Sequence, residues 1–476
     1  MTVLVVVLLA AAGLAVWAVG KAREANEYFA AGHRAGPWLA GLAGTAAAVS
    51  GFTFVGGPGL FLVAGVGSLW LILSAPFTGA LQCWVVGERV VEDRPDRPIT
   101  VPELLQHQLG GRSVRAVAAV AVLVGCVASL AVQARAAAVL GETFLRLDGW
   151  LTAAIVMLAI TTYTAAGGMR AGLLADAVQG GVMALVAVGL AGAALAAAGG
   201  PLAAIDTLTA KRPELLGAFG SFEPGRAASL YLLFALGPLA QPHYVQKFFF
   251  LRRRTDLRQL PAVLTGALAA MLALWFGVGL AGTALQAEGR ITVNRPDELA
   301  PHVMTLLGPW AVLLAGVAVL AAMMSTAASF LNLAAAAVTR DLPAAAGRAS
   351  SGVGTARWVT VATAAAATVL GVGSDRAVAW LGIAGWGFFT AALLPVVALG
   401  LAWPLCRPAP AAAAIAAGAL VDLVLELSRA HLPAAVEPGL AGAAAGALVL
   451  VVGSFCSRLA GPTTASLART ARSPRR

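Results

Sequence analysis

Charge is scarce in this chain. Asp, Glu, Lys and Arg together make up 11% of its residues against 59% apolar ones, and mean hydropathy is +0.85. That balance excludes an ordinary soluble domain and points to a polytopic membrane protein. Cysteine is scarce too. Cys83, Cys126, Cys406 and Cys456 are scattered without paired spacing, so neither a disulfide frame nor a metal centre is expected. There is no Walker motif, which removes ATP-driven pumping. No ordered Ser-His, paired-Asp or metal-ligand constellation falls at membrane depth, so neither an enzyme nor a cofactor is expected. No soluble domain of any size is expected, which leaves out fused kinase, ATPase and receptor modules. The net charge of +10 does not read as nucleic-acid binding, because the arginines sit in short loops between apolar runs.

Those runs predict an all-α protein of about thirteen spans of about 20 residues each. Counting from zero, they cover 2–20, 37–65, 67–87, 114–141, 149–166, 172–198, 227–248, 260–284, 304–338, 355–373, 376–403, 409–428 and 438–457. The first run lacks a basic leader and a cleavage site before Lys21, so it reads as a retained helix. Basic residues concentrate in alternate loops. One set, with Arg89, Arg115, Arg170, Lys247, Arg252, Arg340, Arg407 and the tail, outnumbers the other by more than two to one. The basic side is expected to be cytoplasmic, with the N-terminus outside, the C-terminus inside and an odd number of spans in an inner (plasma) membrane. The tail after Gly461 is short, basic and expected to be disordered against anionic lipid.

One stretch interrupts this pattern. Residues 46–59, from Ala46 through Val49-Ser50-Gly51-Phe52-Thr53 to Gly56-Gly57-Pro58-Gly59, lie inside a run long enough to span, yet carry several helix breakers. In lipid, freed backbone groups persist only where protein or a watery cavity satisfies them. A break at this depth points to a binding site; the alternative is close packing of small residues or a proline kink. A second broken span contains Gly237-Pro238-Leu239-Ala240-Gln241-Pro242-His243. It lies five spans later, so its unit enters the membrane upside down. Paired interrupted spans in two inverted halves mark a secondary transporter site. In span 8, Ser325 and Ser329 are i and i+4 with Thr326 beside them. A lone hydroxyl in such a helix would bond back to the i−4 carbonyl, but three on an alanine-lined face leave room for an ion.

At this point the chain resembles the sodium:solute symporter family over about residues 23–345. Glu27-Tyr28-Phe29-Ala30-Ala31-Gly32-His33-Arg34 looks like that family's cytoplasmic lead-in. Tyr163 to Ala171 fits its double-glycine signature, continued by Asp176-Ala177-Val178-Gln179-Gly180. Ser50-Gly51 with Gly56 and Pro58-Gly59, Gln241-Pro242-His243 with Lys247-Phe248, and Met324-Ser325-Thr326 resemble its proline symporter branch. The resemblance implies a leucine-transporter-like fold of two inverted five-helix repeats, with one extra helix before the core and two after. The expected segments are 1–36, the first repeat 37–198, a loop 199–226, the second repeat 227–403, two helices over 404–461 and the tail 462–476. The resemblance also implies a sodium site made by the carbonyls of Ala46, Val49 and Ala322 and the hydroxyls of Ser325 and Thr326. Sodium is a hard cation that takes oxygen ligands, and no group in that set titrates near neutral pH. Asp176 and Ser329 remain as partial ligands for a second ion, where Ala328 replaces a hydroxyl. Ser50, Gly51, Phe52, Phe234, Pro238 and Gln241 fall on the substrate side. Ala48 replaces an aspartate, Phe52 and Phe234 replace tryptophans and Pro238 replaces a tyrosine of the proline symporters, which leaves the substrate open.

Three charges need their own reading. Asp176 is about 6 Å inside span 5, either an acid favoured by a helix N-terminus or an ion relay. Arg135 lies about 30 Å along span 3 from Arg115, where snorkelling to an interface is expected. His243 is expected to be packed or water-bonded below the break. The expected function is sodium-coupled import of a small organic solute, an amino acid such as proline or a carboxylate, by a monomer working by alternating access. A proton-coupled transporter using Asp176 and a solute sensor are the alternatives.

Overall fold

The computed structural model describes residues 35–91, 98–433 and 435–459, with the side chains of 76, 166–174, 267, 271 and 430 left aside. Span 0, the lead-in before Ala35 and the basic tail lie outside the described residues. Among the described residues the regular elements are all helical, apart from one isolated bridge between Ala35 and Leu251.

The expected span 1 is two helices with a gap. α1 (Pro37–Ala48) ends where Val49 turns to an extended conformation, with φ −96° and ψ 127°. A π-type turn over Phe52–Gly56 then leads into α2 (Gly57–Ala64). The break therefore falls at Val49-Ser50, upstream of the glycine-proline cluster. Gly57 lies inside helical backbone because of a close approach. A Cβ there would stand 2.5 Å from the Trp275 ring, and one on Gly59 would stand 2.5 Å from the Pro296 carbonyl oxygen. Both readings of the stretch hold, at different residues: a break at 49–50 and small-residue packing at 57–59.

Span 2 is short and irregular: a 3-10 turn (Gly65–Leu71), then α3 (Ala75–Gln82) and a π-type turn to Gly87. α4 (Arg112–Leu140) follows. Spans 4 and 5 are the two apolar stretches Gly149–Ala165 and Ala175–Ala197 of the helical segment α5 (Gly149–Ala197). The double-glycine signature falls partly among residues whose side chains are not described. Span 6 breaks as expected, into α6 (Pro224–Leu236), a tight turn at Gly237–Leu239, an extended Gln241 and α7 (Pro242–Phe250). α8 (Leu260–Ala287) is span 7. Span 8 begins later than expected. Gly308, at φ 105°, separates the short α9 (Leu299–Leu307) from α10 (Pro309–Ala336), and only glycine adopts that conformation without strain. α11 (Val353–Val372), α12 (Val378–Leu394), α13 (Pro408–Leu427) and α14 (Pro438–Leu459) complete the chain.

Nine helices among the described residues are long and apolar enough to cross a bilayer, and Gly149–Ala165 is a shorter apolar one. The remaining expected spans are span 0, outside the described residues, and spans 2 and 6, whose breaks divide them into short pieces. α5 packs along α1, α8 and α10, which places it behind both the first broken helix and the serine-bearing one. The two broken helices are also tied at one end. The Ala35 amide donates to the Phe250 carbonyl at 2.9 Å, and the Arg252 amide to the Ala35 carbonyl at 3.1 Å.

On that same side a buried ion pair fixes the start of α4 to the end of the serine-bearing span. Arg115 donates to Asp341 Oδ1 from Nη2 at 2.7 Å and from Nε at 2.9 Å, and Thr100 adds a third donor at 2.9 Å. Removing one partner strands a buried charge, which costs about 3–5 kcal/mol, whereas replacing both with apolar groups costs far less. Arg115→Met and Asp341→Leu should each lower the melting temperature of detergent-purified protein, and the double variant should recover most of the loss. Additive losses in the double variant would contradict a direct pair.

Candidate ion and substrate sites

Beyond Ala48, α1 leaves carbonyls without helical partners. Two hydroxyls of α10 meet them. Ser325 Oγ lies 2.9 Å from the Ala46 carbonyl oxygen and 3.1 Å from that of Ala322. Thr326 Oγ1 lies 2.9 Å from the Val49 oxygen, 3.4 Å from that of Ala47 and 3.5 Å from that of Ala46. The five oxygens expected from the resemblance thus converge, and Ala47 adds a sixth that was not expected. All of these residues are buried, with Ser325 fully so. Ser325 bonds its own helix at Ala322 and also reaches across to α1, so local back-bonding does not account for it. The set contains only neutral oxygens, which suits a hard monovalent cation.

The substrate-side residues divide between two cavities that share Ala48, Phe52 and Trp386. One, about 50 Å³, is lined by Ser50, Gln133, Gln241, His243 and Phe330. The other, about 100 Å³, is lined by Phe234, Pro238, Thr78, Gln82, Tyr244 and Lys247. Aromatic rings form the divide: Phe52 stacks on Phe234 at 6.0 Å, and Phe234 on Trp386 at 4.9 Å. Gly51 lines neither cavity. Its amide, freed by the break, donates to Gln133 Oε1 at 3.1 Å. In the second broken helix, Gln241 Nε2 donates to the Trp386 carbonyl at 3.1 Å and Gln82 Nε2 to the Pro238 carbonyl at 2.7 Å. Gln133, Gln82 and Trp386 were missed, since nothing in the pattern around them marks them as partners of a break.

The three deep charges find places. Asp176 is ion-paired with Lys247, 3.0 Å away, so a helix dipole is not its main support. His243 is buried among Tyr244, Phe330 and Trp386. Arg135 is half-buried, with its Nε unpartnered among the described residues. Asp297 precedes α9 and accepts the Val378 amide, at the start of α12, through both carboxylate oxygens at 3.1 and 2.9 Å. It thereby closes a loop over the far end of the first broken helix, beside Gly59. Burial pushes its carboxyl up to about 6, against the opposing pull of the Val378 amide, Arg135 and Arg295.

An all-helical membrane protein with two interrupted helices in inverted units, and oxygens gathered at one break, is a secondary transporter by architecture. The chain belongs to the sodium:solute symporter family, whose model matches residues 28–418. It is 27% identical over 425 residues to the osmoregulated proline transporter OpuE of Bacillus subtilis (strain 168), covering 86% of this chain and 85% of that one. It is also 27% identical over 436 residues to the sodium/pantothenate symporter of Escherichia coli (strain K12), covering 89% of each. In fold it is similar to a substrate-bound, outward-open Na+-coupled sialic acid symporter, with a TM-score of 0.78 at 17% identity over 96% of this chain and 97% of that one. The chain is a sodium-coupled solute symporter, and the expected all-α, leucine-transporter-like fold stands.

Asp297 gives a pH prediction. Its folded carboxyl titrates near 6, above the usual value near 3.9. The folded state therefore holds the proton more tightly, and stability rises as pH falls from about 6 towards 4. The melting temperature of the wild type relative to Asp297→Asn should shift in favour of the wild type on acidification from neutral pH. A pH-independent difference would contradict this assignment.

Proposed function

We propose that the chain imports a small amino acid together with sodium held between α1 and α10. The ligands are the carbonyls of Ala46, Val49 and Ala322 and the hydroxyls of Ser325 and Thr326. The observation that carries this reading is the contact of the two α10 hydroxyls with the carbonyls freed at the break. No other cofactor is needed, and the monomer is the working unit. Import follows from the loop charges: the basic side faces the cytoplasm, with the N-terminus outside and the C-terminus inside. Sodium then moves down its gradient, and each charge crossing 100 mV supplies about 2.3 kcal/mol.

The solute lies between the two breaks, against Phe52, Phe234 and Pro238, with Ser50 and Gln241 at its polar end and Gly51 behind them, held to Gln133. The half-helix that starts after the break points its N-terminus at this region, and that end of the helix dipole suits a carboxylate, although the amides of Ser50, Gly51 and Phe52 already donate to Thr53, Gln133 and Ser50. The rings of Phe52, Phe234 and Trp386 suit an apolar body and an ammonium group. An amino acid such as proline combines these features. The substrates that the relatives are named for, proline and pantothenate, both carry a carboxylate, which supports the same polar end. Proton coupling through a free Asp176 is disfavoured by its pairing with Lys247.

The test is uptake into proteoliposomes under an imposed sodium gradient, with a radiolabelled panel containing proline and pantothenate. Removing one ion–hydroxyl contact should cost as much as a charged hydrogen bond, about 1.5–3 kcal/mol. Ser325→Ala and Thr326→Ala should then lower apparent sodium affinity roughly 10- to 100-fold, with little change in solute affinity at saturating sodium. Thr326→Ser should be tolerated and Ser329→Ala should be milder. Unshifted sodium curves in both alanine variants would defeat the site assignment.

A further inference from the structure

Asp176 and Ser329, the two side chains offered for a second ion, face a group that belongs to neither pattern. Lys247 Nζ lies 3.0 Å from Asp176 Oδ2 and 3.4 Å from Ser329 Oγ. Asp176 and Ser329 are each 3% exposed and Lys247 is 4% exposed. The three come from different elements: Asp176 from α5, Ser329 from α10, and Lys247 from α7, the half-helix that follows the second break. The Phe250 ring also faces the ammonium, 5.8 Å from Nζ to its centroid. The other carboxylate oxygen, Asp176 Oδ1, is buried without a hydrogen-bond partner among the described residues.

We propose that Lys247 is a tethered cation that holds this second ion position, so that the chain couples one sodium ion, not two, to each solute. A buried carboxylate needs one positive charge beside it. An ammonium and a sodium ion satisfy the same oxygens of Asp176 and Ser329, and they exclude each other, because two cations at one carboxylate repel. The ammonium is part of the chain, so it does not cross the membrane with the solute and draws nothing from the ion gradient. It still does what a bound ion would do mechanically, drawing α7 onto α5 and α10. The inference rests on sodium coupling and adds to it the stoichiometry.

Lys247→Met keeps much of the apolar stem beside Phe250 and removes the charge. Asp176 and Ser329 then present a free carboxylate oxygen pair and a hydroxyl to solvent ions. The experiment is equilibrium binding of radioactive sodium to the full-length protein in detergent, without solute, at alkaline pH so that a proton does not take the place of the lysine. The wild type should bind one sodium per chain and Lys247→Met two. Lys247→Met combined with Asp176→Asn should return to one, and Lys247→Arg should stay at one. A count of one in folded Lys247→Met would overturn the proposal. A count of two in the wild type would overturn it without any variant, which keeps the test decisive if Lys247→Met fails to fold. A wild-type count of zero would instead overturn sodium coupling itself, and this inference with it.

Discussion

A carbonyl in the middle of a bilayer has no water to bond, and the end of α1 leaves those of Ala46, Ala47 and Val49 in that position. The surrounding structure answers this one requirement. α10 brings Ser325 and Thr326 to the break, and α5 packs behind both helices. The amide freed on the other side of the break goes to Gln133 on α4. Three helices from distant parts of the chain are therefore held in register by the groups that one broken helix cannot satisfy internally. In the proposed reading sodium takes over the carbonyls that the hydroxyls bridge, and the same constraint that shapes the fold supplies the coupling site.

Charge is placed with the same economy. Two of the buried ion pairs tie helices to one another. Lys247 holds the half-helix α7 to α5 and α10. Arg115 and Asp341 hold the start of α4 to the residues just past α10. At the opposite side Asp297 closes a loop onto α12 next to the first broken helix. Of these contacts, only the Lys247 one holds a broken helix directly, so a shift of α7 against α5 and α10 must break or remake it. The substrate region between them is lined by neutral and aromatic side chains apart from Lys247, whose charge Asp176 already answers.

Much of this was legible in the sequence for physical reasons. Apolar runs of bilayer length must be helices, so an all-helical membrane protein could be read off, and prolines at 238 and 242 mark a break without knowledge of any neighbour. The hydroxyls at 325 and 326 stood out because alanine surrounds them. The first break was placed too broadly, because glycine weakens a helix whether it opens one or lets a neighbour approach. Gly57 does the second, against Trp275. Local pattern could not find the pairings across the fold. Lys247 meets Asp176 over a separation of 71 residues, Gly51 meets Gln133 over 82 and Gln241 meets Trp386 over 145. Nothing in a 3.6-residue period carries information over such distances.

The central claim is that the break at Val49-Ser50 and the hydroxyls of α10 form one sodium site. The most direct measurement is backbone hydrogen–deuterium exchange of the purified protein in sodium, in potassium and in an organic cation, without solute. Sodium alone should slow exchange in peptides covering residues 46–53 and 322–329 together, because one ion bridges both. Equal exchange in sodium and potassium, or protection of one peptide without the other, would contradict the account.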